Sequence, residues 1–356
     1  MRTKSSSSQK PFAVTHPLPV TLFLMDNLTK SEVEHELLPY IRVYKDGRVE
    51  RLMDEDFEPP TADPKTGVSS KDVTIDPQAP LSARLYLPKS LSNTTTTTTR
   101  TTAKVPLLIY FHGGSFIIST PFNSKYHNHL NTLVSEANVV AVSVHYRRAP
   151  EYLLPIAYDD SRAALQWIAS HRGAAGPDDW LNHHADFERV VIAGDSAGAN
   201  IAHNLVLAAG DDESGLHMSL SGLALVHPFF WGSRPTGMET AEPRAKAFVD
   251  QIWPSVCPSS MPVPGWDDPR INPVANGAPS LSGLGCGRVL VCVAQKDVLR
   301  DRGWLYYEAL RTSGWPGTVE FEETEGETHV FHLHDQGCER AKKLVKTLAD
   351  FFNKIS

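Results

Sequence analysis

Cysteine is scarce in this chain: Cys257, Cys286, Cys292 and Cys338 are the only four in 356 residues. No two form a C-x-x-C pair, so the sequence offers neither a zinc pattern nor a disulfide framework. Reduced, mostly buried thiols are expected. Basic residues are not in excess either. A net charge of -7 gives no sign of the basic face that nucleic-acid binding needs. No apolar run approaches the roughly 20 residues required to span a bilayer. Acidic residues are missing from the first 25 positions, which carry Arg2, Lys4, Lys10 and the run Ser5–Ser8. The apolar stretch Val20–Met25 is too short for a secretory core. A disordered tail and an organelle transit segment both fit residues 1–25.

What is present is an ordinary globular balance, 41% hydrophobic and 21% charged, enough for one large core. Residues 26–60 mix charge with Leu and Val, and Ser31–Leu38 reads as helix. Val73–Ile75 and Ala83–Leu87 alternate like two strands of a hairpin, with turn residues from Pro77 to Pro80. Thr94–Thr99 is a run of six threonines; having no apolar face to bury, it reads as an exposed, mobile loop. Beyond it, short apolar runs alternate with amphipathic stretches. The expected strands are Val105–Tyr110, Val139–Val144, Arg189–Ala193, Gly222–Val226, Arg288–Val293 and Thr318–Glu322. The expected helices are His127–Ala137, Ala157–His171, Gly198–Ala209, Arg302–Ser313 and Gln336–Phe352. This alternation implies an α/β chain with a mostly parallel, doubly wound sheet. Ser233–Leu284 breaks the rhythm. It is rich in Pro, Gly and small polar residues and too long for a plain loop. It is expected to form, with residues 26–60, a cap over the sheet's carboxyl edge, so that 26–356 make one domain.

The chemistry is concentrated at four places. Gly194-Asp195-Ser196-Ala197-Gly198 follows an expected strand and opens an expected helix, the setting in which a G-x-S-x-G motif lifts its serine onto a tight, strained elbow. Serine is a poor nucleophile until a base takes its proton. Phe111-His112-Gly113-Gly114-Ser115-Phe116 follows the strand before. A Gly–Gly run there lets backbone N–H groups approach a developing oxyanion, and the candidate donors are Gly113, Gly114, Ser115 and Ala197. His112 is expected to brace the loop. An acid is expected after the strand Arg288–Val293. Asp297 is favoured over Asp301, which is accounted for as a first-turn helix residue. The base is expected in the loop after the last strand, where His329 is favoured over His332 and His334.

These stretches together resemble the plant carboxylesterases of the hormone-sensitive-lipase-like group of α/β-hydrolases. The likeness rests on Ile41–Arg48, Tyr110–Gly114, Val144–Glu151, Ala193–Asn200, Lys296–Gly303 and His329–His332, and runs from about residue 30 to the C-terminus. It implies an α/β-hydrolase fold with a cap, and a carboxylester hydrolase with Ser196 as nucleophile, His329 as base and Asp297 as its orienting acid. It implies no metal and no organic cofactor, and a small-molecule ester as the partner. Relatives on the same scaffold act otherwise: hydroxyisoflavanone dehydratase by elimination, tuliposide-converting enzymes by intramolecular acyl transfer, and the gibberellin receptor by binding alone. The receptor lacks the histidine that His329 supplies here. The tuliposide enzymes are plastid-targeted, so a plastid stands as the alternative to a cytoplasmic location. Tyr126, Phe229, Phe230 and Trp231, with Phe122, are candidate pocket residues, each more readily read as core. Monomer and homodimer both stay open.

Overall fold

The computed structural model describes residues 32–92, 104–211 and 218–354. The first 25 residues and the threonine run lie outside them. By internal contacts the chain divides into two compact units between Glu50 and Arg51.

The first unit is a small three-stranded sheet, β1 Val33–Leu37, β2 Ile41–Tyr44 and β3 Val49–Arg51 at the border, in the order β1-β2-β3. The helix expected over Ser31–Leu38 is therefore a strand. Pro39 ends the segment before a helix could accumulate enough turns to outweigh its nucleation cost. The backbone groups of β1 instead pair antiparallel with β2, and the turn closes through Tyr40 N–H to the Leu37 carbonyl at 2.8 Å. Glu36 sits opposite Arg42 in this register and pairs with it at 2.5 Å.

The second unit is built on an eight-stranded sheet. Its strands are β4 Ser69–Asp76, β5 Leu81–Leu87, β6 Val105–Phe111, β7 Val140–His145, β8 Ala185–Asp195, β9 Gly222–Val226, β10 Arg288–Ala294 and β11 Thr318–Thr324. The spatial order is β11-β10-β9-β8-β6-β7-β5-β4. The β4–β5 hairpin and the β5–β7 pairing are antiparallel, and the pairings from β7 through β6 to β11 are parallel. Strands buried on both faces need no polar alternation, which is why they appear as continuous apolar runs. On one face Leu108, Tyr110, Val191, Ala193, Ala224, Val226, Leu290 and Cys292 join one core with the helices Ser124–Ala137 and Glu339–Asn353. The helices Ile156–Ala169, Ala197–Ala209 and Arg300–Thr312 complete the alternation. The helix Asp179–His184, capped by the Asp178 carboxylate, went unread because six residues leave too short a period to detect.

After β6 the chain crosses to β7 on one side; after β8 it passes to β9 on the other. β6 and β8 are neighbours, so the strand order reverses between their carboxyl ends, where ligands bind in open α/β sheets. The two glycine motifs stand at those ends. The insertion Ser233–Leu284 holds the helices Gly237–Ala241 and Pro243–Val256 and three short 3₁₀ turns. It is clasped to the helix Arg300–Thr312 by Arg302, whose guanidinium makes a buried two-point pair with Glu239 at 2.6 and 3.1 Å. The four cysteines are free thiols. Among the described residues no helix is long and apolar enough to cross a membrane.

Candidate active site

β8 ends at Asp195 and a helix begins at Ala197, leaving Ser196 alone to turn the chain. Its backbone stands at φ 51°, ψ -117°, a conformation costly for a residue with a Cβ and maintained only by its surroundings. Three hydrogen bonds enforce it. Ser196 N–H donates to the Val226 carbonyl at 2.9 Å, and the Ser196 carbonyl accepts from Phe229 and Asn200 at 3.0 and 3.1 Å. Gly198 permits the tight return, since a Cβ there would collide with the Phe111 carbonyl.

Asp297 and His329 meet the serine from the turns that follow β10 and β11. His329 Nδ1–H donates to Asp297 Oδ2 at 2.6 Å, and the Ser196 hydroxyl lies 3.0 Å from His329 Nε2. The other Asp297 oxygen accepts from Leu299 N–H at 2.9 Å. The acid turn and the histidine loop are tied together by Gln295 N–H to Thr324 and Lys296 N–H to Glu327. Val330, next to the histidine, is β-branched yet held at φ 45°, an outlier for its type. Its N–H donates to His227 Nδ1 at 2.9 Å, which fixes both the loop and the His227 tautomer.

The electrostatics match this geometry. Burial alone would raise the Asp297 carboxyl, but the neighbouring His329 and the Leu299 N–H hold it below its usual range. Burial works against a charged His329 too, and the Asp297 carboxylate outweighs it, so the imidazole stands above its ordinary value. His227 behaves oppositely: burial pushes it down to about 3, and it stays neutral. His227, Asp297 and His329 bring potential metal-ligand atoms within 4.8 Å of one another. Two of those donors are already engaged: His227 Nδ1 with Val330, and His329 Nδ1 with Asp297.

In the glycine loop, the Gly114 carbonyl accepts from Ile117 and Ile118 at 2.8 and 2.9 Å, and Ser115 and Phe116 take φ 57° and 62°. Among the described residues, the N–H groups of Gly114, Ser115 and Ala197 have no partner. Gly113 is a correction. Its N–H already donates to the Tyr126 hydroxyl at 2.7 Å, so it is not free for a ligand. His112 braces the loop: Nδ1–H donates to the Gly113 carbonyl at 2.8 Å, and the ring stacks on Tyr146 at 4.3 Å.

The two rival histidines stand apart from the serine. His332 is buried against His129 and His227, and His334 ends the short helix Phe331–His334. Asp301 accepts from Met238 N–H at 2.8 Å and pairs with Arg300.

Most of the pocket candidates are structural. Tyr126 is a correction: it is buried and bonded to Asp195 and Gly113. Phe230 is likewise core, packed between His203 and Tyr306, and the Trp231 indole N–H donates to Asp250. Phe122 packs on His145 and Phe57. Phe229 alone keeps a place beside the serine, with its ring against Phe116 of the glycine loop at 6.3 Å. A cleft of about 840 Å³ opens on the insertion, lined by Arg234, Asp267, Asn272 and Trp304 among others; none of Ser196, Asp297 or His329 lines it.

The sequence reading also passed over Asp195, Tyr110 and His227. Asp195 was the unread x of the motif; its signal was a charged residue ending a strand whose preceding run Val190–Gly194 is apolar.

The model of the alpha/beta hydrolase fold family matches residues 108–333. The chain belongs to that family. It is 46% identical over 327 residues to an Arabidopsis thaliana protein named probable carboxylesterase 2, covering 92% of this chain and 98% of that one. It is 45% identical over 328 residues to the 2-hydroxyisoflavanone dehydratase of Glycyrrhiza echinata, covering 91% and 97%. Among solved structures, a thermostable carboxylesterase from a metagenomic library superposes with a TM-score of 0.65 at 25% identity, over 84% of this chain and 91% of that one. An esterase from Pyrobaculum calidifontis gives 0.65 at 24% identity over 81% and 86%, a likeness of fold. In this alpha/beta hydrolase the family's mostly parallel sheet thus carries the serine, acid and histidine on the ends of β8, β10 and β11.

Proposed function

We propose that the chain is a carboxylester hydrolase in which Ser196 attacks the ester carbonyl, His329 takes its proton and Asp297 orients and stabilises the resulting imidazolium. The observation that carries this is the unbroken line Ser196–His329–Asp297, at 3.0 and 2.6 Å, ending on a serine with a strained backbone. As Ser196 Oγ bonds to the carbonyl carbon, its proton passes to His329 Nε2 and the carbonyl oxygen takes the negative charge. The N–H groups of Gly114, Ser115 and Ala197 are the donors for that oxygen, and the positive end of the helix Ala197–Ala209 adds to them. Collapse expels the alcohol, which receives the proton from His329. Water, deprotonated by the same histidine, then releases the acid. The insertion Ser233–Leu284 is the cap that selects the ester, meeting the glycine loop where Trp253 packs on Phe116. The relatives named probable carboxylesterases support this reading.

A second reading rests on the 45% identity to a 2-hydroxyisoflavanone dehydratase. On the same site, His329 would remove a substrate proton and water would leave in an elimination.

A p-nitrophenyl ester series, short acyl chains to long, run beside Ser196→Ala separates the two. Hydrolysis that falls by about 10⁴–10⁶ in the variant is expected. Near-full activity in Ser196→Ala would sink the esterase mechanism. An alkene product from hydroxylated substrates, with no turnover of simple esters, would favour elimination.

A further inference from the structure

Beneath the serine elbow lies a carboxylate that this reading does not use. Asp195 is 1% exposed. One of its oxygens accepts from the Tyr110 hydroxyl at 2.9 Å and the other from the Tyr126 hydroxyl at 2.7 Å. Both tyrosines are buried, and neither contacts Ser196 or His329 among the described hydrogen bonds. They differ in one respect. The Tyr126 oxygen, having given its proton to Asp195, accepts the Gly113 N–H at 2.7 Å; among the described residues no such link leaves Tyr110. Gly113 packs so closely on this pair that a Cβ there would lie 2.5 Å from Asp195 Oδ2 and 3.0 Å from the Tyr126 hydroxyl oxygen.

From this we infer that Asp195 is a positioning residue that sets the glycine loop relative to the serine through Tyr126, so that the elbow and the oxyanion donors move as one body. The inference rests on the esterase reading above. The link has a direction. A carboxylate accepts only, so both hydroxyls must donate to it, and the Tyr126 lone pair is thereby left to face Gly113. An asparagine in the same place accepts from one hydroxyl and donates to the other, leaving one tyrosine proton without an acceptor. Burial raises the Asp195 carboxyl to about 6, and the two hydroxyls that donate to it pull it back toward the ionised form. The chain ends where precision matters: Gly114 and Ser115 follow Gly113 directly, and an oxyanion donor acts only within about 3 Å of the oxygen it serves.

The test is a matched pair of hydroxyl deletions, Tyr126→Phe and Tyr110→Phe, in the full chain. Each removes one buried hydroxyl from the same carboxylate, so a merely structural role predicts equal effects. The expected result is a kcat lower by about 10- to 100-fold in Tyr126→Phe with KM within about twofold, against a loss of no more than about threefold in Tyr110→Phe, at similar melting temperatures. Asp195→Asn is expected to follow Tyr126→Phe. A second readout needs no turnover: amide exchange at Ile117 and Ile118 should quicken in Tyr126→Phe alone. Equal kcat losses in the two tyrosine variants, or equal exchange, would overturn the positioning role. A wild type without ester turnover would defeat the esterase reading, and the exchange data would still decide the link.

Discussion

The serine elbow and the insertion Ser233–Leu284 both depart from the strand–helix rhythm, yet buried side-chain pairs carry more of the fastening in the insertion. At the elbow the backbone itself is pinned. Ser196 is fixed through its own N–H and carbonyl to Val226, Phe229 and Asn200, and the acid and histidine loops are tied by main-chain bonds to each other. In the insertion, main-chain bonds such as Trp231 N–H to Ile271 and Leu154 N–H to Val256 are supplemented by side-chain clasps: Arg302 on Glu239, Arg270 on Asp268, and the Trp231 indole on Asp250. Main-chain bonds survive most substitutions, whereas each side-chain clasp depends on two particular residues. The chemistry thus rests on positions the sheet dictates. The insertion can change composition without disturbing the sheet, which suits a region that selects substrates.

This contrast is broken most severely at the acid. Asp297→Asn keeps the size and the buried position but leaves the His329 tautomer unfixed and its imidazolium unsupported. In a triad this costs about 10⁴ in kcat. Turnover of a p-nitrophenyl ester by folded Asp297→Asn, checked by circular dichroism, should therefore fall by about that factor. A loss under tenfold would mean that another group orients the histidine.

The converse change belongs to the insertion. Glu239 is fully buried and carries the charge that balances Arg302. Glu239→Gln leaves that guanidinium uncompensated, and breaking a buried pair from one side costs about 3–5 kcal/mol. Urea unfolding should register that loss while kcat of the folded protein stays within about twofold. A kcat loss larger than the stability loss would show that the clasp shapes the site directly.

How much of this was legible follows the same division. The sheet was legible because strands covered on both faces must be apolar throughout, as in Val289–Ala294. Ser196 was legible because its motif stood between a strand and a helix, and Asp297 and His329 because the fold places them after the last two strands. The Ser31–Leu38 segment misled because it is eight residues long and, among the described residues, Leu37 is its one buried side chain; its partner strand, not its own periodicity, decides its state. Gly113 and Tyr126 were misassigned for a related reason. Only three-dimensional proximity shows that the N–H of one is spent on the hydroxyl of the other. The pairing of Arg302 with Glu239 spans 63 positions and leaves no local pattern.

Acid should separate the two regions by pH. The insertion contains no histidine, while His112, His129, His227 and His332 are buried around the site, all held below 6.5 by burial. A histidine whose folded pKa is depressed binds its proton in the unfolded chain first. Its stabilising contribution is therefore complete above 6.5 and is lost as pH falls below that value, at about 1.4 kcal/mol per histidine per pH unit. The insertion's carboxyls respond lower. Asp267 is held down by the Ser233 hydroxyl, and Asp268 by Arg270 against the opposing effect of burial. Carboxyls depressed in the fold keep their contribution above about 3.8 and lose it as pH falls below. Melting temperature should thus drop steeply between pH 6.5 and 5. Over that range amide exchange should quicken around the site before it does in the insertion. A melting temperature flat down to pH 5 would mean that the buried histidines find proton-accepting partners on charging, and the contrast between the two regions would not extend to their electrostatics.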